Sequence, residues 1–242
     1  MVLLLTLTTN SLLAQKHLTD YDPEALFQQG LILFQHGEYG AAQESFSQYL
    51  NTIDDKKLQK VVDAQYYVAV SSLYAGQNDA EAKIMAFVND NPGSTWAKHA
   101  NFLYANVLFG KKKYAEALAL YENTPSQTLT ETEAQQMQFN MAYAYFQLDE
   151  IKKALPIFQG AALNEGKYQQ DAKYYYAHIQ YLKGNDQEAL RHFEQLRNHP
   201  VYAKVVPAYI MQINYSHGNY QAVLDDGPGL LLCRHRPTQI RA

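Results

Sequence analysis

Eight histidines, one cysteine and a few close carboxylate pairs are the residues that could carry chemistry in this 242-residue chain. Zinc recruits closely spaced His, Cys or carboxylate ligands. His17, His36, His99, His178, His192, His199, His217 and His235 include no pair at the helical spacing i, i+4, so a metal site is not expected. A phosphate loop needs glycines followed by Lys and Ser or Thr, and Gly227-Pro228-Gly229 has neither. No nucleophile-elbow pattern surrounds a serine, and Cys233 has no evident base beside it. Asp54-Asp55 and Asp225-Asp226 are adjacent carboxylates, a spacing that points them to different sides, so they read as solvated or capping groups. Lys111-Lys112-Lys113 falls at a turn, where a solvated cluster near a helix C-terminus explains it. Catalysis and cofactor binding are therefore not expected.

Charge narrows the remaining functions. The net charge of −4 and a pI near 6.0 leave no basic surplus to neutralise phosphates, which excludes nucleic acid as the expected partner. A single cysteine cannot build an intramolecular disulfide framework.

The elements that position these residues come from a repeat. A turn between two helical patterns recurs at Gly37, Gly76, Lys112, Asp149, Gly184 and Gly218, at intervals of 39, 36, 37, 35 and 34 residues. Seven residues before each turn stands Gly30, Ala69, Ala105, Ala142, Ala177 or Met211, small in five of six cases. Five residues after it come Ala42, Ala117, Ala154 and Ala189, and four residues later Phe46, Tyr121, Phe158 and Phe193. A spacing of four puts each alanine and ring on one helix face. The first helix of each unit thus offers a notch and the second inserts a ring; neither buries its face alone, so units must stack. In the second unit Ala82 and Phe87 arrive late, which predicts an insertion near Gln77-Asn78-Asp79. Asn91-Pro92-Gly93-Ser94, Pro125 with the Ser/Thr-rich stretch after it, and His199-Pro200 read as stops between units. No useful period-2 alternation appears, so strands are not expected.

Notch, turn, ring and proline at a period near 34 resemble the tetratricopeptide repeat, carried by Gly30, Gly37, Tyr39, Ala42 and Phe46 in the first unit and Ala105, Tyr114, Ala117 and Tyr121 in the third. Lys112 and Asp149 replace the turn glycine. The resemblance spans about Tyr21 to Val223 and implies an all-α, right-handed α-solenoid of helix-turn-helix repeats. The linker Asn91-Pro92-Gly93-Ser94, with Ala97 and Ala100 after it, is similar to tetratricopeptide proteins of bacterial envelopes.

In that family the first helices line a concave groove, so the resemblance also implies where a partner lies. Ten residues before the turns stand Phe27, Tyr66, Phe102, Phe139, Tyr174 and Ala208; three before them stand Phe34, Leu73, Phe109, Phe146, Tyr181 and Tyr215. Asn106, Tyr143, His178 and Gln212, six before the turns, face the same groove in the family geometry. These rings serve either to pack neighbouring first helices or to contact a ligand, since Tyr and Phe supply contact area with few rotors to freeze. The expected binding row is Phe102, Asn106, Phe109, Phe139, Tyr143, Phe146, Tyr174, His178, Tyr181 and Gln212.

The ends read differently. Met1 to Ala14 is uncharged and largely apolar, resembling a secretory signal cleaved after Ala14; a buried first element is the other reading. Residues 15–225 then form about six repeats. Gly227-Pro228-Gly229 is expected to stop the last helix after about two turns, leaving 226–242 as an irregular tail: the product of truncation or a shifted frame, or a genuine flexible end. Together these readings describe an exported, periplasmic or outer-membrane-associated scaffold that holds a protein or peptide, without a transmembrane span, any outer-membrane association being through its partner. A glycan- or peptidoglycan-binding module, or the interaction part of a larger protein, are the alternatives.

Overall fold

The computed structural model describes residues 22–55 and 58–231. Met1 to Ala14, with its secretory-signal reading, lies outside the described residues, as do Cys233 and the rest of the tail after Leu231.

The described residues form twelve α-helices and one short 3-10 turn, Ser126–Thr128, with no strand. The helices are α1 Pro23–Gln35, α2 Tyr39–Thr52, α3 Gln59–Tyr74, α4 Ala80–Asp90, α5 Thr95–Gly110, α6 Tyr114–Glu122, α7 Glu131–Gln147, α8 Ile151–Leu163, α9 Gln169–Leu182, α10 Asp186–Leu196, α11 Val206–Ser216 and α12 Tyr220–Leu231. They run as six helix-turn-helix pairs. At every turn the backbone enters the left-handed region, with φ between 60° and 79°, at the six positions the repeat marks: Gly37, Gly76, Lys112, Asp149, Gly184 and Gly218. The next residue's N–H reaches back five residues: Glu38 to the Leu33 carbonyl, Lys113 to Leu108 and Asn219 to Asn214, each at 2.9 Å. This closure satisfies carbonyls that a helix end otherwise leaves bare, and it demands positive φ at the turn.

The chain divides into two compact units after Tyr104, a point inside α5. In the first, α1 packs on α2, α2 on α3 and α3 on α4. Leu26, Phe27, Ala42, Phe46, Tyr49, Val61 and Ala64 make its buried centre. Phe46 inserts over Gly30, and its ring stacks on Tyr67 of α3 at 4.9 Å. In the second unit Ala142, Ala154, Phe158, Ala177, Ala189 and Phe193 are buried in one core. Each such ring contributes roughly 1.5–3 kcal/mol by leaving water, so the notch-and-ring pattern is the main apolar cement of the pairs.

Starts are set locally. Thr130 caps α7 through a reciprocal pair: its hydroxyl accepts from the Glu133 N–H, and the Glu133 carboxylate accepts from the Thr130 N–H. Asp22 caps α1 by accepting from the Glu24 N–H, with Pro23 at the first helical position.

Two expectations are corrected. Ala82 is exposed; the buried residues of α4 are Ala80, Ile84 and Phe87. The reason is angular: Ala82 and Phe87 are five residues apart and cannot share a face, whereas Ala80, Ile84 and Phe87 follow helical spacing. The insertion itself is present, since α4 starts four residues after Gly76 while the other second helices start two residues after their turns. Second, α12 runs through Gly227-Pro228-Gly229 to Leu231. Proline's fixed φ is helical, and Gly227 lacks the Cβ that would crowd the proline ring, so the stop signal is softened at the cost of one backbone hydrogen bond. Pro156 also lies inside a helix, α8.

Candidate partner-binding surface

The expected row separates into three kinds of position. Phe102, Phe139 and Tyr174 are buried and are corrected to core residues. Tyr174 stacks on Tyr202 at 4.7 Å, and Phe139 stacks on Tyr168 at 5.0 Å. Phe102 lies beside His99, with centroids 6.0 Å apart. In the second unit Phe139 and Tyr174 each meet a ring of their pair's second helix, Phe158 and Phe193, and a ring of the loop before the next first helix, Tyr168 and Tyr202, so they are enclosed from both sides.

Phe109, Tyr143, Phe146, His178 and Tyr181 are half-buried. In the second unit they belong to a connected series of rings. Phe109 meets Tyr143 edge-on at 5.6 Å, and Tyr143 meets Tyr175 at 5.2 Å. Tyr175 meets Phe146 at 5.7 Å, and Phe146 meets His178 at 5.8 Å. His178 meets Tyr209 at 5.4 Å and Tyr209 meets Tyr181 at 5.3 Å. The edge-on pairs hold each ring by its neighbours, which leaves the remaining surface of each half-buried ring fixed in place. Burial pushes the His178 imidazole below its ordinary value, so it sits in the series as a neutral ring with polar nitrogens.

The polar members part company. Gln212 is exposed. Asn106 instead turns inward: its Oδ1 accepts from the Tyr121 hydroxyl at 2.6 Å and from Asn140 Nδ2 at 3.1 Å, while Asn140 also donates to the Tyr121 oxygen at 3.0 Å. Asn106 therefore serves this internal network. Sequence reasoning missed Asn140, Tyr175 and Tyr209, although Tyr175 and Tyr209 stand nine residues before their turns, on the same face as the residues six before. It also missed Trp96, which stacks on Tyr66 at 4.3 Å and donates its indole N–H to Asp63 at 2.8 Å in the first unit.

Chemically the row offers apolar ring surface with isolated polar atoms. Among the described residues no group of three His, Cys, Asp or Glu is placed to hold a metal ion. A separate cleft of about 370 Å³ lies where α7 meets the loop between α8 and α9, and is lined by Glu131, Gln135, Gln138, Asn164, Glu165 and Gln169 among others.

The arrangement of helix pairs is shared with solved proteins. The C-terminal part of a TPR repeat-containing protein from Cytophaga hutchinsonii matches at 15% identity and TM-score 0.66, over 95% of this chain and 88% of that one. This is the tetratricopeptide-repeat fold. PilF of Pseudomonas aeruginosa has the same fold at 16% identity and TM-score 0.57, covering 86% of this chain and 90% of that one. PilW, described as a widely conserved type IV pilus biogenesis factor, matches at 18% identity and TM-score 0.52, covering 86% and 91%. No protein-family model and no curated protein sequence matches the chain. Among the described residues no helix is long and apolar enough to cross a membrane.

Proposed function

We propose that this chain is a non-enzymatic adaptor of the bacterial cell envelope, which holds a protein or peptide segment along the half-buried rings Phe109, Tyr143, Phe146, His178 and Tyr181, with Gln212 at the end of the row. The observation that carries the reading is the connected series of rings from Phe109 to Tyr181. Fixed aromatic surface is what an extended or helical peptide can cover with little ordering cost on the protein's side. An envelope setting is supported by the apolar, uncharged stretch Met1 to Ala14 and by the fold shared with PilF and PilW. The buried rings Phe139 and Tyr174 pack against this series, Phe139 on Tyr143 and Tyr175 and Tyr174 on His178.

Affinity purification from the native organism tests the reading. Wild-type bait is expected to retain a specific protein by mass spectrometry, and a Tyr143→Ala/Phe146→Ala bait with a preserved cooperative thermal transition is expected to lose it. Equal retention by both baits would remove the row from the interaction. Fractionation tests the location: the chain is expected in the periplasmic or outer-membrane fraction, and a purely cytosolic chain would end the envelope assignment.

The cleft beside α7 favours a second reading, a glycan- or peptidoglycan-binding module, because its amides and carboxylates suit hydroxyl-rich ligands. Binding on a glycan array that is lost in Gln135→Ala would favour it over the adaptor.

A further inference from the structure

The cleft beside α7 carries a charge that its amides alone do not use. At about 370 Å³ it falls at the lower end of the roughly 300–1,000 Å³ of small-ligand sites, with room for one amino-acid-sized group. One wall is α7, with Glu131 and Gln138; the other is the end of α8 and its loop, with Asn164 and Glu165, and Tyr168 and Gln169 also line it. The walls touch at Gly166: a Cβ there would meet Gln135 Oε1 at 2.5 Å, so glycine lets the loop lie against α7. The charged residues of the lining are Glu131 and Glu165, and among the described residues neither has a basic partner. The side chains of Gln138 and Asn164 likewise hydrogen-bond to nothing among the described residues. The end of α8 adds to the negative potential. Its Gly160 carbonyl is capped by the Asn164 N–H, and the carbonyls that follow have no intrahelical donor. Lys167, the neighbouring cation, is turned onto the Tyr168 ring, 5.4 Å from its centroid.

We propose that this cleft receives the guanidinium group of an arginine carried on a partner polypeptide. The charge complements Glu131 and Glu165, which no residue of the lining neutralises. Five N–H donors fixed in one plane can reach the carboxylates and the amide oxygens of Gln138 and Asn164 together, where an ammonium offers one compact point. A cation already lies over one ring of the lining, in the contact of Lys167 with Tyr168. Free arginine suits the cleft less, because its own carboxylate would meet Glu131 and Glu165, whereas a residue within a polypeptide has none. A hydroxyl-rich ligand, the second reading above, would use the amides and leave the negative charge uncompensated. The inference takes its polypeptide from the adaptor reading, but no residue of the cleft belongs to the aromatic row.

Calorimetric titration of the full chain with N-acetyl-L-argininamide tests it. Saturable binding is expected. The uncharged isostere N-acetyl-L-citrullinamide is expected to bind at least about fivefold more weakly, and a Glu131→Gln/Glu165→Gln protein is expected to bind argininamide more weakly by a similar factor. Both glutamates are exposed, so an unchanged thermal transition is expected to verify that the double variant is folded. A Gln138→Ala/Asn164→Ala protein, which keeps both charges, is expected to lose the preference for argininamide over N-acetyl-L-lysinamide. Absence of saturable binding, or binding indifferent to the two glutamates, overturns the proposal. Equal binding of lysinamide to wild type overturns the guanidinium assignment, and tighter binding of free L-arginine overturns the polypeptide source. A neutral glycan that binds where argininamide does not, and that Glu131→Gln/Glu165→Gln still binds, overturns it in favour of the second reading. Failure of argininamide to bind leaves the pull-down through the aromatic row untouched, so the two readings fall separately.

Discussion

Phe46 lies so close over Gly30 that a Cβ on Gly30 would meet the ring carbons Cε1 and Cζ at 2.8 Å. Both residues are buried, so the ring has no open side toward which to retreat. Gly30→Ala gains about 1 kcal/mol of helix propensity, yet overpacking a tight core costs about 1–3 kcal/mol. The expected outcome is a net loss of about 1–2 kcal/mol in urea unfolding. In a Phe46→Leu background the same substitution is expected to be neutral or stabilising. A Gly30→Ala protein more stable than wild type would show that the ring is not the reason for the glycine.

Lys112 and Asp149 adopt φ of 60° and 62° at turns where the four other pairs use glycine. The left-handed region costs a residue with a Cβ about 1–2 kcal/mol, partly offset by the extra freedom glycine has when unfolded. Lys112→Gly is therefore expected to raise stability by about 0.5–1 kcal/mol. Gly184→Ala, at φ 74°, is expected to lower it by about 1 kcal/mol. Matched denaturant titrations check both signs.

Tyr174 and Tyr143 were candidates for the same row, but they separate on mutation. Tyr174→Ala removes a buried ring that stacks on Tyr202, and large-to-small changes of this kind cost about 3–5 kcal/mol. Tyr143→Ala removes a half-buried ring and is expected to cost less than half as much. Thermal denaturation followed by circular dichroism measures the difference; equal losses would mean that both rings are core.

The Asn106, Tyr121 and Asn140 side chains share three hydrogen bonds in a largely buried setting. Tyr121→Phe deletes two of them while Asn140 keeps its bond to Asn106. The expected cost is about 1–2 kcal/mol. In an Asn140→Ala background the cost of Tyr121→Phe is expected to change by at least 0.5 kcal/mol, roughly the coupling of groups in contact. Strict additivity in that cycle would show that the network is not cooperative.

His178 and His192 are both held below the ordinary histidine value of 6.5, His178 by burial and His192 by burial and then by the Arg191 charge. The unfolded chain therefore binds protons that the folded chain refuses. Stability is fully present above about pH 6.5 and is lost as pH falls from there toward the lowered folded values. His192 adds a second constraint, because its Nδ1 is buried without a hydrogen-bond partner. The urea midpoint is expected to fall between pH 7 and pH 5, and to fall less steeply in His178→Gln and in His192→Gln. An unchanged slope in both variants would assign the acid sensitivity to other groups. Glu188, held near 2 first by its hydrogen bond to Arg191, adds a loss only at still lower pH, as protonation proceeds downward from about 4.5.

The pairing of helices was legible from the residues alone, because each device is local. A left-handed turn needs a residue that tolerates it, a notch and its ring keep fixed offsets from that turn, and the alanine and ring of each second helix stand one helical turn apart. Hence the six turns, Ala42 beside Phe46 and Ala189 beside Phe193 could be placed by counting. Counting failed where an offset slipped, as at Ala82, or where a breaker was tolerated, as at Pro228. Tertiary structure alone decided which rings are covered. Phe139 and Phe146 share a helix face and differ by two turns, yet the first is enclosed and the second is half-open. Periodicity specifies the direction of a side chain from its own helix, whereas burial depends on how closely other helices and loops approach, and that distance is set by the whole packed core.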